Sequence, residues 1–581
     1  MSSAAEWGSK PVSQKDDLGE RHEVSGATAE SGQHPANPAD LGGSVATAPL
    51  GRWQQLAISL GGVLGTGWLI AVPRTAHLGW FAALPWLLGA ASVGLIAAMV
   101  VHLARADQRP GGLAWWPTRT TGLVAGTAVN AGLFLIYAGN PPAGSAGVVR
   151  TLSAHFPALA LCSNGGNPVQ CSGNLGLNWL GFGSALLVMT ALFALHLLGM
   201  RLMLRVNIAM GALKVVVLVL LVVAAASTPF QLFRPEGLPI ALEGLSPLAA
   251  AFAATTAGGL LFAFNGFQGP VDHGVSRGTQ YRGFAIYGAL LIATALYVAL
   301  QLTFIAGAEQ HWDPPQHTDP GFPLLLAGTV LPPLTNALLF VSLAGIVLGK
   351  SVEQRVLVLP RPDWRIEWRV FPVVWLFGVV YLLLTRAGWA EISDSKSVAY
   401  VVVYSYAAVS YAALRQHGDF KDRSYLAKSL HVLAPLSFVV ATVIAYYSRF
   451  PSLLVACGLL AVVGLLMLTT KLPKSHGRNW REHVLHGRWL LGYLGALLAL
   501  TGVQFAVRLA TLPAAQRPHD PGAFLGALAG FGDVPAFAGG PLYQLVTHGL
   551  AVVAALVGGW FFRLGVRRSV QHLRFMDRSA A

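Results

Sequence analysis

The sequence predicts an all-α integral membrane protein with about fourteen transmembrane helices. Three observations carry that expectation. Of its 581 residues, 54% are hydrophobic and only 11% are charged, whereas soluble proteins carry about 25% charged residues. Apolar runs of about 20 residues recur along the chain, each long enough to cross about 30 Å of hydrocarbon as a helix. The charges collect between these runs. The runs also lack the period-two alternation of barrel strands, so helices satisfy the backbone in lipid.

In chain order the runs fall near 53–73, 80–103, 121–143, 178–199, 206–227, 247–272, 283–307, 325–348, 371–385, 397–414, 430–448, 452–470, 488–508 and 542–563. With the amino terminus inside, 30 of the 39 Lys and Arg occupy cytoplasmic segments and 8 lie outside, and Lys214 alone sits well within a run. The segments Lys350–Arg369, Arg415–Lys428 and Lys471–Arg488 are basic, while the loop around Glu309, Asp313 and Asp319 has no Lys or Arg. This is the positive-inside bias of a multi-pass protein of the cytoplasmic membrane with both termini cytoplasmic. It also accounts for the net charge of +14, which in the absence of any nucleic-acid motif does not point to nucleic acid.

Four regions follow. Residues 1–50 are polar, without an apolar h-region, and predict a disordered cytoplasmic tail rather than a cleaved signal peptide. Residues 51–415 hold a ten-helix core, 416–566 four additional helices, and 567–581 a basic cytoplasmic tail. The longer connections, about 144–177, 228–246, 308–324 and 509–541, are rich in Gly, Pro and Asp and read as irregular outside loops. Cys162 and Cys171 share the first of these. They pair if that side is oxidising and remain free thiols otherwise.

Two glycine-rich interruptions stand at corresponding places in the first and sixth runs. The first is Gly61-Gly62-Val63-Leu64-Gly65-Thr66-Gly67-Trp68. A break there leaves the amides of Gly65, Thr66 and Gly67 at the start of a new half-helix, where amides and helix dipole suit a carboxylate. Close helix packing through Gly61 and Gly65 explains the same glycines. The second is Phe262-Ala263-Phe264-Asn265-Gly266-Phe267-Gln268-Gly269-Pro270. Pro270 frees a carbonyl one turn back, so carbonyls here suit an ammonium group, with Phe264 and Phe267 as cover. A packed, proline-kinked helix is the alternative. Paired interruptions in two five-helix halves are a sequence pointer to the binding site of a secondary transporter.

These segments resemble the amino acid–polyamine–organocation permease superfamily. Trp68 with Phe264-Asn265-Gly266-Phe267-Gln268-Gly269-Pro270 is most similar to its aspartate–proton symporter branch. Tyr297-Val298-Ala299-Leu300-Gln301-Leu302, Arg109-Pro110-Gly111-Gly112 and Pro141-Pro142 fit the same branch. The resemblance covers roughly residues 53–350. It implies the five-plus-five inverted-repeat, leucine-transporter-like core with discontinuous helices 1 and 6, and a site between helices one, three, six and eight. The substrate carboxylate would meet Gly65, Thr66 and Gly67, and its ammonium the carbonyls near Leu64 and Phe262, Ala263 and Phe264. Ser276-Arg277-Gly278-Thr279-Gln280 and the segment Lys350–Pro360 depart from the family pattern at the inner gate. What the resemblance implies is a proton-coupled amino acid symporter working by alternating access, acidic substrates favoured, with the proton as coupling ion and no cofactor. Its partners would be the amino acid and membrane lipid, with no nucleic acid.

Lys214 matches a fifth-helix lysine to which proton-coupled members assign the coupling role. A lysine in that position either exchanges a proton or snorkels to the cytoplasmic headgroups. Tyr137 offers a hydroxyl to substrate or belongs to an aromatic belt. Ser342 donates to substrate or bonds its own helix. Arg74 pairs with a second carboxylate or sits at the outer interface, and His77 and His196 are weaker candidates. Asp272 and His273 line an inner gate or mark a solvated helix end. His483 and His486 have no further metal ligand near them, and no nucleophile elbow, P-loop or HExxH motif is present. Carriage of another solute or a cation, a transporter-derived sensor without flux, and a membrane-embedded enzyme are the rival functions.

Overall fold

A computed structural model of the chain describes residues 51–65, 67–106, 112–153, 155–162, 175–194, 200–226, 250–252, 254–255, 260–272, 279–308, 370–384, 389–419, 425–448, 450, 452–475, 480–511 and 541–580. The described residues are overwhelmingly helical. Helices α1 (Arg52–Val63) and α2 (Gly67–Thr75) are inclined 41° to one another across the glycine interruption. Then come α3 (Ala83–Ala106), α4 (Gly112–Thr121), α5 (Leu123–Ala138), α6 (Asn140–Ser153), α7 (Trp179–Ala194) and α8 (Met200–Ala226). Span six contributes two short helices, α9 (Leu260–Ala263) and α10 (Gly269–Asp272), on either side of a turn. The remainder are α11 (Arg282–Ala308), α12 (Val370–Leu384), α13 (Trp389–His417), α14 (Tyr425–Tyr447), α15 (Ser452–Ser475), α16 (Trp480–Thr511) and α17 (Pro541–Ala580).

Among the described residues, six helices are long and apolar enough to cross a membrane, or seven if the bent α1–α2 pair is one span, and four shorter apolar helices accompany them. Each expected span except the eighth falls at least partly on described helix; the eighth, 325–348, lies outside the described residues. The bundle surface carries large apolar side chains such as Leu187, Leu291 and Leu556, each at least 70% exposed. Lipid rather than water is the solvent that such a surface fits.

Three expectations need correction. Residues 144–153 are not loop: α6 carries span three on to Ser153, interrupted only by a single turn residue at Gly139. The rest of that connection is not wholly irregular, because β1 (Ala160–Cys162) pairs antiparallel with β2 (Leu175–Leu177). Lys396, which falls between the ninth and tenth expected spans, does not lie in a connection between helices. Helix α13 begins at Trp389, and Lys396 is fully buried within it.

Helix α13 occupies the middle of the bundle, packing on α3, α4, α5, α6, α14, α15 and α17. Helix α1 packs on α8 and α11. Small hydroxyls tie the interior together: Thr120 Oγ1 lies 3.2 Å from Ser410 Oγ, and Thr121 Oγ1 lies 2.6 Å from Ser569 Oγ. Between helices in lipid such pairs replace hydrogen bonds that no water can supply.

Candidate functional site

The two interrupted spans cross where their regular hydrogen bonding stops. Helix α1 closes with the Leu64 amide on the Leu60 carbonyl at 2.9 Å and the Gly65 amide on Val63 at 2.7 Å. Helix α2 restarts at Gly67, and Gly67 lies against the backbone of α9. A Cβ built on Gly67 falls 2.5 Å from Ala263 Cα, 2.6 Å from Ala263 Cβ and 2.8 Å from its amide nitrogen. The glycine is therefore required by backbone-to-backbone contact between spans one and six, a role its lack of a side chain permits.

Span six turns over Phe264–Gln268 before α10 resumes. Gly266 has φ +104°, a conformation that L side chains rarely adopt, so the turn depends on glycine at this position. The Gly269 amide bonds the Gly266 carbonyl at 3.1 Å, and the Phe267 carbonyl accepts Ser59 Oγ from α1 at 3.1 Å. The interruption thus leaves carbonyls to be satisfied by other helices.

Helix α11 supplies much of that satisfaction. Tyr297 Oη stands between the two breaks, 2.8 Å from the Val63 carbonyl and 3.1 Å from the Ala263 carbonyl. It has one proton for two acceptors. One turn on, Gln301 Nε2 donates to the Val72 carbonyl at 3.1 Å, and its Oε1 accepts Trp86 Nε1 at 2.9 Å and lies 2.9 Å from Thr75 Oγ1. The rings of Trp86, Phe264 and Tyr297 pack on one another with centroids 4.8 to 6.0 Å apart. Leu64, Trp68, Phe264 and Phe267 are buried around this junction.

Lys214 does not snorkel. It is 1% exposed, and its Nζ donates to the Gly61 carbonyl at 2.8 Å, near the end of α1. The ammonium thereby neutralises the carbonyl end of a helix, where a cation is favoured.

A second polar cluster lies on the far side of the span-six turn. Tyr137 Oη donates to Asp272 Oδ2, and Gln268 Nε2 donates to Tyr137 Oη at 3.0 Å. Tyr404 Oη, from α13, lies 3.0 Å from Gln268 Oε1 and 3.1 Å from Asn265 Oδ1. Nearby, Lys396 Nζ donates to Asn140 Oδ1 at 2.5 Å, both residues being buried.

Of the residues singled out in the sequence, Leu64, Gly65, Gly67, Trp68, Ala263, Phe264, Asn265, Gly266 and Phe267 fall on the two breaks, with Phe262 in α9. Tyr137 is held by Asp272 and Gln268. Thr66, Ser342, Cys171, His196 and His273 lie outside the described residues, as do the side chains of Arg74, His77 and Cys162. Tyr404, Lys396 and Asn140 are not singled out by the sequence. Their one signal there is that they are polar residues at or within apolar runs. Among the described residues no group of three His, Cys, Asp or Glu is placed to hold a metal.

The amino acid permease family matches residues 50–358, which include both breaks. The chain belongs to the amino acid permease family. It is a multi-pass membrane protein of a transporter family, not an enzyme. The glutamate/serine transporter AimA of Bacillus subtilis (strain 168) is 24% identical over 483 residues, covering 78% of this chain and 87% of that relative. The aspartate-proton symporter of the same organism is 23% identical over 474 residues, covering 75% of this permease and 86% of the relative. Two solved structures of the Eremococcus coleocola manganese transporter overlay this permease with TM-scores of 0.43 and 0.42, at 14% and 16% identity. They cover 74% of this chain and 97% and 98% of those chains. The family match stops before α13, so Lys396 and Tyr404 lie beyond it.

Proposed function

We propose that this permease carries amino acids, acidic ones preferentially, across the cytoplasmic membrane by proton-coupled symport with both termini inside. The observation that carries this reading is the crossing of the two interrupted spans at Gly67 and Ala263, with Lys214 on the Gly61 carbonyl beneath it. Amides at the start of α2 suit a substrate carboxylate, and the carbonyl ends at Val63, Leu64 and Ala263 suit its ammonium. The Tyr297 hydroxyl lies within hydrogen-bond reach of two of those carbonyls. Phe262, Phe264, Asn265, Gly266, Phe267, Trp68, Tyr137 and Ser342 would line the remaining walls. The names of the two Bacillus relatives, a glutamate/serine transporter and an aspartate-proton symporter, support the substrate class and the coupling.

Lys214 would couple the proton to movement. Protonated, its amine holds the carbonyl end of α1. Deprotonated, it loses the charge-assisted part of that bond, a difference of about 1 kcal/mol or more. The inner half of span one is then freer to swing as the bundle alternates access.

The test is uptake of labelled L-glutamate, L-aspartate and L-serine into proteoliposomes under an inward proton gradient. Gradient-driven accumulation is expected, and Lys214→Met should retain counterflow while losing accumulation. If no amino acid is taken up by folded protein, the substrate class is wrong and another solute or a sensing role takes its place.

A further inference from the structure

Asp272 brings a carboxyl into the interior of the bundle beside the span-six turn. It ends α10 and is 8% exposed. Among the bonds that reach it is an ordered chain: Tyr404 Oη to Gln268 Oε1, Gln268 Nε2 to Tyr137 Oη, and Tyr137 Oη to Asp272 Oδ2. Every donor in the chain points towards the carboxylate, which can only accept while it is ionised. At the other end, Tyr404 has a second acceptor within reach, Asn265 Oδ1 at 3.1 Å.

We infer that Asp272 is a proton-binding group, separate from Lys214, whose state is relayed through Tyr137, Gln268 and Tyr404 to Asn265 in the span-six break. The inference rests on the transporter reading only for its role in transport, not for the proton site itself.

The relay follows from donor and acceptor counts. A proton from water on Asp272 makes its carboxyl a donor, which bonds the Tyr137 oxygen. The Tyr137 proton then needs an acceptor, and Gln268 Oε1 provides it when the amide turns over. Gln268 Nε2 now donates to the Tyr404 oxygen, and the Tyr404 hydroxyl keeps its proton and donates to Asn265 Oδ1 alone. One proton has been added, at Asp272, and each bond in the chain has reversed without any being lost. Such chains act as a unit, because each bond polarises the next. Asn265 is fully buried and follows Phe264, whose ring packs on Trp86 and Tyr297 at the junction of the two breaks. The far end of the relay is therefore in the wall of the candidate binding site.

The ionisable groups described on α1, α4 and α11, which pack on α10, bond elsewhere or lie exposed. On α11, Tyr297 bonds the Val63 and Ala263 carbonyls, Arg282 donates to the Ala104 carbonyl, and Tyr287 is 41% exposed. Arg119 of α4 pairs with Asp419, Lys396 of α13 with Asn140, and Lys214 of α8 with Gly61, while Arg52 of α1 lies exposed beside Trp53. Tyr137, and through Gln268 Tyr404, are the titratable groups in the chain that leads to Asp272.

The test uses the full-length protein in lipid nanodiscs, titrated from neutral to acidic pH and followed by infrared difference spectroscopy. The parent is expected to gain the carbonyl band of a buried carboxylic acid. Asp272→Asn should lose that band, and Tyr137→Phe, which removes only the hydroxyl facing the carboxyl, should displace it. A band unchanged in Asp272→Asn overturns the proton site. In proteoliposomes, the apparent affinity of the parent for L-glutamate or L-aspartate should vary with pH by up to about tenfold per unit, the limit for one linked proton. Tyr404→Phe, which leaves the Tyr137–Asp272 bond in place, should keep counterflow but flatten that dependence. The parent's full slope in Tyr404→Phe overturns the relay. Failure of the parent to move L-glutamate, L-aspartate or L-serine counts against the amino acid reading alone, since the infrared experiment contains no substrate.

Discussion

Replacing Gly67 by alanine tests the crossing of the two spans most directly. The new Cβ would stand 2.5 Å from Ala263 Cα and 2.6 Å from its Cβ. Carbon atoms rest at about 3.5–4.0 Å from one another, so the backbones of α2 and α9 must part by about 1 Å. Neither side can yield by rotating a side chain, because the opposing atoms are backbone and a Cβ. Overpacking of this kind costs about 1–3 kcal/mol, and a displacement of about 1 Å at a reacting or binding centre lowers rates by about a hundredfold. Gly67→Ala should therefore lower the uptake rate in proteoliposomes by one to two orders of magnitude while the protein still folds in detergent. Gly94→Ala and Gly502→Ala are the controls, since nothing lies within 4 Å of a Cβ at either position. They should transport as the parent does. Uptake by Gly67→Ala with the parent's Km and maximal rate would refute the close crossing of spans one and six.

Three further outcomes follow from the same geometry. Tyr297→Phe removes a donor from the Val63 and Ala263 carbonyls; Val63 keeps the Gly65 amide, and losing the donor to a buried Ala263 carbonyl costs about 1–3 kcal/mol. A lowered unfolding midpoint in detergent, partly restored by a tightly bound substrate, is expected; an unchanged midpoint would count against the bridge. Asn140→Leu deprives the Lys396 ammonium of an acceptor at 2.5 Å, a loss of about 1.5–3 kcal/mol for a bond to a charged group. Thermal unfolding of Asn140→Leu beside Lys396→Met checks it, and stability equal to the parent in Asn140→Leu would show that the bond contributes nothing. Gly266→Ala forces an L side chain into φ +104°, at about 1–2 kcal/mol. Its midpoint should fall, whereas Gly495→Ala, with open space around the Cβ, should leave it unmoved.

Much of the architecture is legible in the amino-acid sequence. Apolar length, scarcity of charge and the basic bias of alternate loops depend on the solvent alone: a lipid interior admits only segments that satisfy their own backbone. Glycines and a proline in the middle of such segments are conspicuous for the same reason, so both breaks are visible, and Lys214 stands out as a charge inside an apolar run. Residues such as Tyr404, Asn140 and Lys396 are not conspicuous. A tyrosine in a membrane helix is ordinary, and a lysine near the end of a run reads as the end of the span. The continuation of span three to Ser153 is hidden similarly, since its Gly, Ser and Pro residues resemble a loop until they are seen buried.

The sequence by itself determined that this chain is a helical membrane protein and which two spans are interrupted, because those properties follow from each segment's own exchange with lipid and water. Only the tertiary structure decided what the interruptions meet. Gly67 against Ala263, Tyr297 between two carbonyls, Lys214 on Gly61, and Tyr404 linked through Gln268 and Tyr137 to Asp272 all join residues far apart in the chain. Hydrogen bonds and close contacts act over a few ångströms in space and carry no periodicity along the sequence.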